Sequence, residues 1–286
     1  MEAGTWVRHL EPRGVAARQR GATRGAGSAE KARRNRTLLV CCPHSGGWAD
    51  SFVPWREPVR ALNEAGPAAV GLLAVQYPGH GDRGSEEPAA DVRAMAAAIS
   101  AELAGLDPAR TVLFGHSFGA MVAYETARRL ESAGAPPAVL AVSGARAPGD
   151  PAAPRGEAGL PDAQLWRRVT ELGGIDPLLA DDPELRELVL PALRADITAH
   201  ERYAAAPAGT VGVDIRCYLG ADDPLAPEDA GAGWAARTTG NLVVRVRGGG
   251  HFHHVERPRE LLADLLDGHL GRPGADQPVA LPGPVA

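Results

Sequence analysis

Phe114-Gly115-His116-Ser117-Phe118-Gly119-Ala120 is the stretch whose setting decides the fold. An apolar run at 111–114 precedes it and a segment of helical composition at 121–130 follows, so Gly-x-Ser-x-Gly reads here as strand, sharp turn and helix, the context of a nucleophile elbow. Strand and helix backbones approach closely in such a turn, and Gly115 and Gly119 supply neighbours without side chains. Ser117 is then raised out of the fold at the N-terminus of the following helix, where backbone N–H groups face incoming negative charge. With 35 glycines in the chain the pattern can arise by chance, and the strand-turn-helix setting is what gives it meaning.

Working outward, residues 37–42 form a β-rich run ending at Pro43, with Gly46 and Gly47 beyond it. Residues 70–77 form another, closed by Pro78-Gly79-His80-Gly81-Asp82, and residues 52–65 between them have helical composition. Val92, Met95, Ile99, Leu103 and Leu106 recur at three and four residues, one apolar stripe of an amphipathic helix. Beyond the elbow, strand-like runs at 138–142, 213–219 and 242–246 alternate with helical segments at 227–237 and 256–270. This alternation predicts an α/β fold, a mostly parallel sheet flanked by helices, as one domain over 37–270. Ser45, His80 and Ser117 all fall at carboxyl ends of its strands, where such sheets gather their chemistry. From 147 to about 207 the alternation stops, leaving helical stretches at 163–172 and 183–203 with no strand. Such an insertion reads as a helical lid over the site, an ordinary packing pair of helices being the alternative.

A chain of 286 residues, 44% hydrophobic, suffices for one good core. No apolar run approaches the ~20 residues of a membrane span, and no signal peptide begins at Met1, so the expectation is a soluble, cytoplasmic protein without membrane contact. Cys41 and Cys42 share one strand and Cys217 lies in another, a pattern without disulfide or metal spacing that predicts buried reduced thiols. Residues 1–36 carry eight Arg and Lys31 against Glu2, Glu11 and Glu30, a net of +6; the whole chain stands at −5, which leaves −11 for the rest. Interleaved Gly and Ala with no apolar face make 1–36 a solvated, disordered extension rather than a nucleic-acid-binding arm. The Pro- and Gly-rich residues 271–286 read as a disordered tail.

A serine hydroxyl is a poor nucleophile at neutral pH, so Ser117 needs a base, and the base needs a partner that fixes its tautomer. A nucleophile elbow is followed along the chain by the acid and then the histidine. Asp223 and His251 meet that order, each at the carboxyl end of a strand. Asp223 competes with Asp222, and its place three residues beyond Gly220 selects it. His251, presented by Gly248-Gly249-Gly250, competes with His253 and His254; His-x-His-His lacks a third or fourth ligand nearby, so no metal is expected. His116 reads as a packing residue, and His44 and His200 as site-lining or satisfied polar groups. The oxyanion of an acyl-transfer intermediate needs preorganised donors, assigned to the backbone N–H groups of Phe118 and Ser45.

As a set, Pro43-His44-Ser45-Gly46-Gly47, Gln76-Tyr77-Pro78-Gly79-His80-Gly81-Asp82-Arg83, Gly115-His116-Ser117-Phe118-Gly119-Ala120, Val142-Ser143-Gly144, residues 188–196, residues 220–224 and Gly249-Gly250-His251-Phe252 resemble a type II thioesterase of the α/β-hydrolase superfamily. The resemblance runs from about 37 to 270, with two departures: Ser45 stands where the family has Ala, and His80 where it has Arg. It implies an editing enzyme of polyketide or nonribosomal peptide synthases that hydrolyses acyl groups from the phosphopantetheine arm of acyl or peptidyl carrier proteins. Ser117 would be its nucleophile, His251 its base and Asp223 the orienting acid, with no cofactor; separately, the chain is expected to act as a monomer. The alternatives are a general serine carboxylesterase or acyl-CoA thioesterase, an acyltransferase, and a catalytically silent binding module.

Overall fold

In the computed structural model, which describes residues 5–10, 36–65, 69–153, 155–176, 178–204 and 209–268, the apolar runs become the strands of a single sheet. They are β1 (Val7–His9), β2 (Arg36–Cys42), β3 (Ala69–Val75), β4 (Thr111–His116), β5 (Val139–Ser143), β6 (Ile215–Gly220) and β7 (Leu242–Arg247). Their spatial order is β1-β3-β2-β4-β5-β6-β7, parallel throughout except where β1 runs antiparallel to β3. From β2 the chain goes to β3 on one side and then to β4 on the other. The winding therefore reverses between β2 and β4, and an open parallel sheet has its crevice at the carboxyl ends of the strands that flank such a reversal.

Among the described residues, seven α-helices accompany the sheet: α1 (Arg56–Ala65), α2 (Val92–Leu103), α3 (Phe118–Ser132), α4 (Asp162–Glu171), α5 (Pro183–Ala204), α6 (His253–Glu256) and α7 (Pro258–Leu266). Successive strand residues point to opposite faces, and both faces are covered, which is why the strands read as unbroken apolar runs. In β2, Val40 and Cys42 pack with Met95 and Ile99 of α2 and Met121 of α3. Leu39 and Cys41 pack on the other face with Trp55, Val59 of α1 and Leu261 and Leu265 of α7. All three cysteines are buried and unbridged. The stripe of α2 faces the core as its period requires, and Asp91 caps the helix by accepting the N–H groups of Arg93 and Ala94. Between β5 and β6 the helices α4 and α5 build a small core of their own from Leu165, Trp166, Val189, Leu190, Leu193 and Ile197.

Three details depart from the sequence expectation. The helical run at 52–65 starts as a 3₁₀ segment, Ala49–Trp55, and Glu228–Arg237 is 3₁₀ rather than α-helical. The last helix is cut at Arg257, held at φ −132° and ψ 61° because Pro258 follows and disfavours a helical residue before it.

The largest departure concerns the basic extension, part of which is structured. Val7, Arg8 and His9 pair with Val75, Ala74 and Leu73, so they close the edge of the sheet. The Glu102 carboxylate accepts the N–H groups of Trp6 and Val7, at 2.6 and 3.0 Å. The Trp6 ring lies 5.0 Å from the Arg83 guanidinium, close enough for cation–π attraction. Residues 11–35 and the tail 271–286 lie outside the described residues.

Candidate active site

Ser117 follows β4 at φ 54° and ψ −120°, the one non-glycine residue with positive φ among those described. A side chain in that region costs on the order of 1–3 kcal/mol, so the surroundings must hold it there. The Ser117 N–H donates to the Ser143 carbonyl at 2.8 Å, and the Ala120 N–H closes the turn on the Ser117 carbonyl at 2.9 Å. Gly115 and Gly119 permit the approach. A Cβ on Gly115 would lie 2.1 Å from the Gly119 carbonyl oxygen, and one on Gly119 would lie 2.1 Å from that of Cys42. Backbone atoms on both sides leave no flexible end to move. Gly119→Ala is therefore expected to prevent accumulation of folded protein, measured as soluble yield and Tm; a well-folded variant with unchanged Tm would refute this account of the elbow.

Phe118 opens α3, so its N–H is among those that a helix leaves without an intrahelical acceptor. Ser45, in the loop after β2, lines the same cleft as Ser117 and His251, a solvent-open space of about 850 Å³. Val169 and Leu172 from the α4 region and Leu193, Ile197 and His200 from α5 form its opposite, mostly apolar wall. The helical insertion thus covers the ends of β2 and β4.

Of the two candidate aspartates, Asp222 is exposed and Asp223 is buried. Asp223 Oδ1 accepts the N–H groups of Leu225 and Ala226, at 2.9 and 3.2 Å, and Oδ2 lies 2.9 Å from His251 Nδ1. Burial opposes ionisation of Asp223, but its hydrogen bond to His251 and the two backbone donors offset that and hold the carboxyl below the usual carboxylate range. A carboxylate accepts only, so the hydrogen of His251 sits on Nδ1 and Nε2 is left with its lone pair.

The remaining histidines surround this pair. His44 and His200 line the cleft; burial first, then the charge of His251, push their pKa values down to about 3 and about 4. His116, expected to be a packing residue, lies beneath, its ring centroid 4.0 Å from that of His254 and 4.8 Å from that of His251. His116 Nδ1 and His253 Nε2 both contact Ser143 Oγ, at 3.1 and 3.2 Å. Among the described residues no group of His, Cys, Asp and Glu has the arrangement of a metal site, and no helix is long and apolar enough to cross a membrane.

Two polar residues of the site region escaped functional assignment from the sequence. His80, after β3, and Asp196, on α5, are both buried, and His80 Nε2 lies 2.9 Å from Asp196 Oδ2. Residues 188–196 stood out as a motif, but the pairing joins side chains 116 positions apart. Periodicity cannot report such a contact.

A parallel sheet with helices on both faces, a serine on a strained turn after β4 and a buried His–Asp pair beside the same cleft define an α/β-hydrolase. Residues 37–268 match the thioesterase domain family. Thioesterase PikA5 of Streptomyces venezuelae is 34% identical over 280 residues, covering 96% of this chain and 89% of that protein. The "Probable cadicidin biosynthesis thioesterase" of Streptomyces griseus is 36% identical over 240 residues, covering 83% of this chain and 64% of that protein. Among solved structures, the type II thioesterase BorB from the borrelidin biosynthetic cluster superposes with a TM-score of 0.74 at 30% identity, covering 95% of this chain and all of that one. The chain belongs to the thioesterase domain family, in its type II branch, and is an enzyme that hydrolyses acyl thioesters.

Proposed function

We propose that Ser117, His251 and Asp223 are the catalytic triad and that the substrate is an acyl group on the phosphopantetheine arm of an acyl or peptidyl carrier protein. The observation that carries the triad is the buried 2.9 Å contact between His251 and Asp223, beside the cleft that Ser117 lines. In the first half-reaction Ser117 Oγ attacks the thioester carbonyl carbon and His251 Nε2 takes the hydroxyl proton. Asp223 stabilises the imidazolium that results. The carbonyl oxygen, now an oxyanion, is held by the N–H groups of Phe118 and Ser45, and loss of one such donor costs on the order of 3 kcal/mol. Collapse breaks the carbon–sulfur bond, and His251 returns the proton to the departing thiolate. Water then attacks the acyl-serine with His251 again as base, releasing the carboxylic acid and restoring Ser117. Every proton is carried by these side chains, so the steps require no cofactor.

The helical insertion serves as the lid. Its apolar wall suits an acyl chain, and the open mouth of the cleft suits an arm entering from a docked carrier. Removal of aberrant acyl groups from a polyketide or nonribosomal peptide synthase follows as the biological role, in keeping with the biosynthetic setting of BorB.

The test compares release of short acyl chains from a phosphopantetheinylated carrier protein with release from coenzyme A and from a nitrophenyl ester. Higher kcat/KM on the carrier, lost in Ser117→Ala, is the expected result. Serine-dependent hydrolysis of coenzyme A esters or nitrophenyl esters with none on carriers would make the protein a general acyl hydrolase and end the carrier-linked reading.

A further inference from the structure

The mechanism above does not use the buried pair between His80 and Asp196, although it lies where the helical insertion meets the loop after β2. Its two side chains are 1% and 0% exposed. Asp196 Oδ2 takes two contacts: the Gly46 N–H donates to it at 2.8 Å, and His80 Nε2 lies at 2.9 Å. Gly46 directly follows Ser45. Asp196 therefore ties α5 to the loop that carries one assigned oxyanion donor. His80 is itself fixed from two further directions: Nδ1 lies 2.9 Å from the Pro78 carbonyl oxygen, and its own carbonyl accepts from Gln76 Nε2 at 2.6 Å.

Both ring nitrogens of His80 thus face oxygens, and this determines the proton count. A carbonyl cannot donate, so Nδ1 must carry a hydrogen. A second hydrogen must lie between Nε2 and Oδ2, whether as imidazolium with carboxylate or as imidazole with carboxylic acid. Removal of that hydrogen to solvent leaves a buried carboxylate facing a lone pair, or else a bare Nδ1 facing the Pro78 carbonyl. Each alternative places two acceptors in contact without a donor, in a site closed to water, where the penalty is largest.

The groups that face this pair do not relieve it. Tyr77 is engaged with the Pro43 carbonyl at 3.2 Å, and Arg83 is held by Glu86 and the Gln76 carbonyl. His44, across the loop after β2, is kept uncharged by burial. Burial opposes charge on His80, yet the hydrogen bond and the charge of Asp196 more than offset it, so the ring keeps its proton to higher pH than an ordinary histidine, with Arg83 opposing. Burial likewise holds the Asp196 carboxyl above the usual range, against the pull of His80 and the Gly46 N–H.

We propose that His80 and Asp196 form a positioning clasp whose shared proton locks α5 to the Ser45–Gly46 loop, so that turnover fails when that proton is lost. The proposal rests on the assignment of the Ser45 N–H to the oxyanion. Neither residue touches the reacting atoms; the clasp acts through the loop geometry. Loss of the proton on the alkaline side would loosen both the loop and the insertion, and would lower kcat more than it raises KM.

The experiment measures kcat and KM for one acyl thioester across neutral to alkaline pH in wild type, His80→Arg, Asp196→Asn and Ser117→Ala. Fluorophosphonate labelling counts the intact sites at each pH. Arginine keeps the charge and the donors but does not titrate. The expected result is an alkaline fall of at least fivefold in wild-type kcat that is absent in His80→Arg, with kcat of Asp196→Asn reduced tenfold or more at neutral pH. An alkaline fall of the same size in His80→Arg, or a flat wild-type profile, overturns the clasp. Should either variant fail to fold, the His80 ring resonances of the wild type, followed by NMR, must move through the pH range in which kcat falls; a ring that titrates elsewhere overturns it as well. Hydrolysis that survives in Ser117→Ala would sink the triad assignment instead, so the two failures are distinguishable.

Discussion

Ser117→Ala is expected to lower kcat/KM for acyl-thioester hydrolysis by about 10⁴-fold or more, with no fall in Tm. Alanine removes the attacking oxygen and with it the acyl-enzyme, leaving only positioning and the oxyanion donors. The strain at φ 54° remains, since alanine bears the same Cβ. His251→Ala should cost a similar factor because the serine then has no proton acceptor. Asp223→Asn should cost about 10³- to 10⁴-fold, since an amide at 2.9 Å from Nδ1 no longer enforces the tautomer that leaves Nε2 as base. The losses are not additive: the double variant Ser117→Ala, His251→Ala should be no slower than the single serine variant. Steady-state rates on one carrier-bound and one free thioester decide this. A Ser117→Ala enzyme within tenfold of wild type would mean that another group attacks the thioester.

Acidification should destabilise this protein well above the pH at which most carboxylates titrate, because of the histidines packed beneath the site. His116, His253 and His254 are at most 1% exposed. Burial is the main cause that holds the pKa of His253 down to about 4 and those of His116 and His254 well below the ordinary histidine value, and the neighbouring imidazoles add to it. For a group whose folded pKa is depressed by burial in the neutral form, the unfolded chain binds the extra proton, so the stabilisation is present at neutral pH. It is lost as pH falls below about 6.5, the ordinary histidine value, and continues to be lost down to the folded value. Each such histidine contributes a slope of about 1.4 kcal/mol per pH unit, these three together about 4, and the depressed His44 and His200 of the cleft add to it in the same direction. Between pH 7 and 5 the loss from His116, His253 and His254 alone is about 5 kcal/mol, a fall in Tm of roughly 10–20 °C or more for a domain of this size. The depressed carboxyl of Asp223 adds its own loss only at lower pH, as the pair with His251 is broken. Thermal melts at pH 7, 6 and 5 test the slope. His254→Phe, whose ring would sit among Phe52, Trp55 and Phe114, should lower the slope by about 1.4 kcal/mol per pH unit. A Tm that does not move between pH 7 and 5 would show that these imidazoles are not held neutral.

The elbow was legible because its requirements are local. Two glycines around a serine, a β-rich run before and a helical run after, specify a backbone that few other sequences can form, and φ 54° at Ser117 matches it. The parallel sheet was legible for a related reason: a strand covered on both faces must be apolar at every position, as Leu39, Val40, Cys41 and Cys42 are. Asp223 and His251 could be named from the order in which such a chain supplies its groups. The edge strand Val7–His9 could not, since an arm rich in Arg, Gly and Ala offers no period, and its pairing depends on an exposed edge of β3 and on Glu102, 95 positions away. The break at Arg257 was readable in principle from Pro258, but the apolar residues of α7 continue the helical pattern across it.

Sequence by itself determined the class of fold, the serine on its sharp turn and the identity of its candidate partners, because each follows from local backbone requirements, burial period or chain order. Tertiary structure alone decided how Ser143 joins His116 to His253, and that Asp196 of the insertion grips both Gly46 and His80. These are contacts between buried polar atoms far apart in the chain. They exist only once the hydrophobic layers have closed around them, and it is the exclusion of water by those layers that makes each hydrogen bond obligatory.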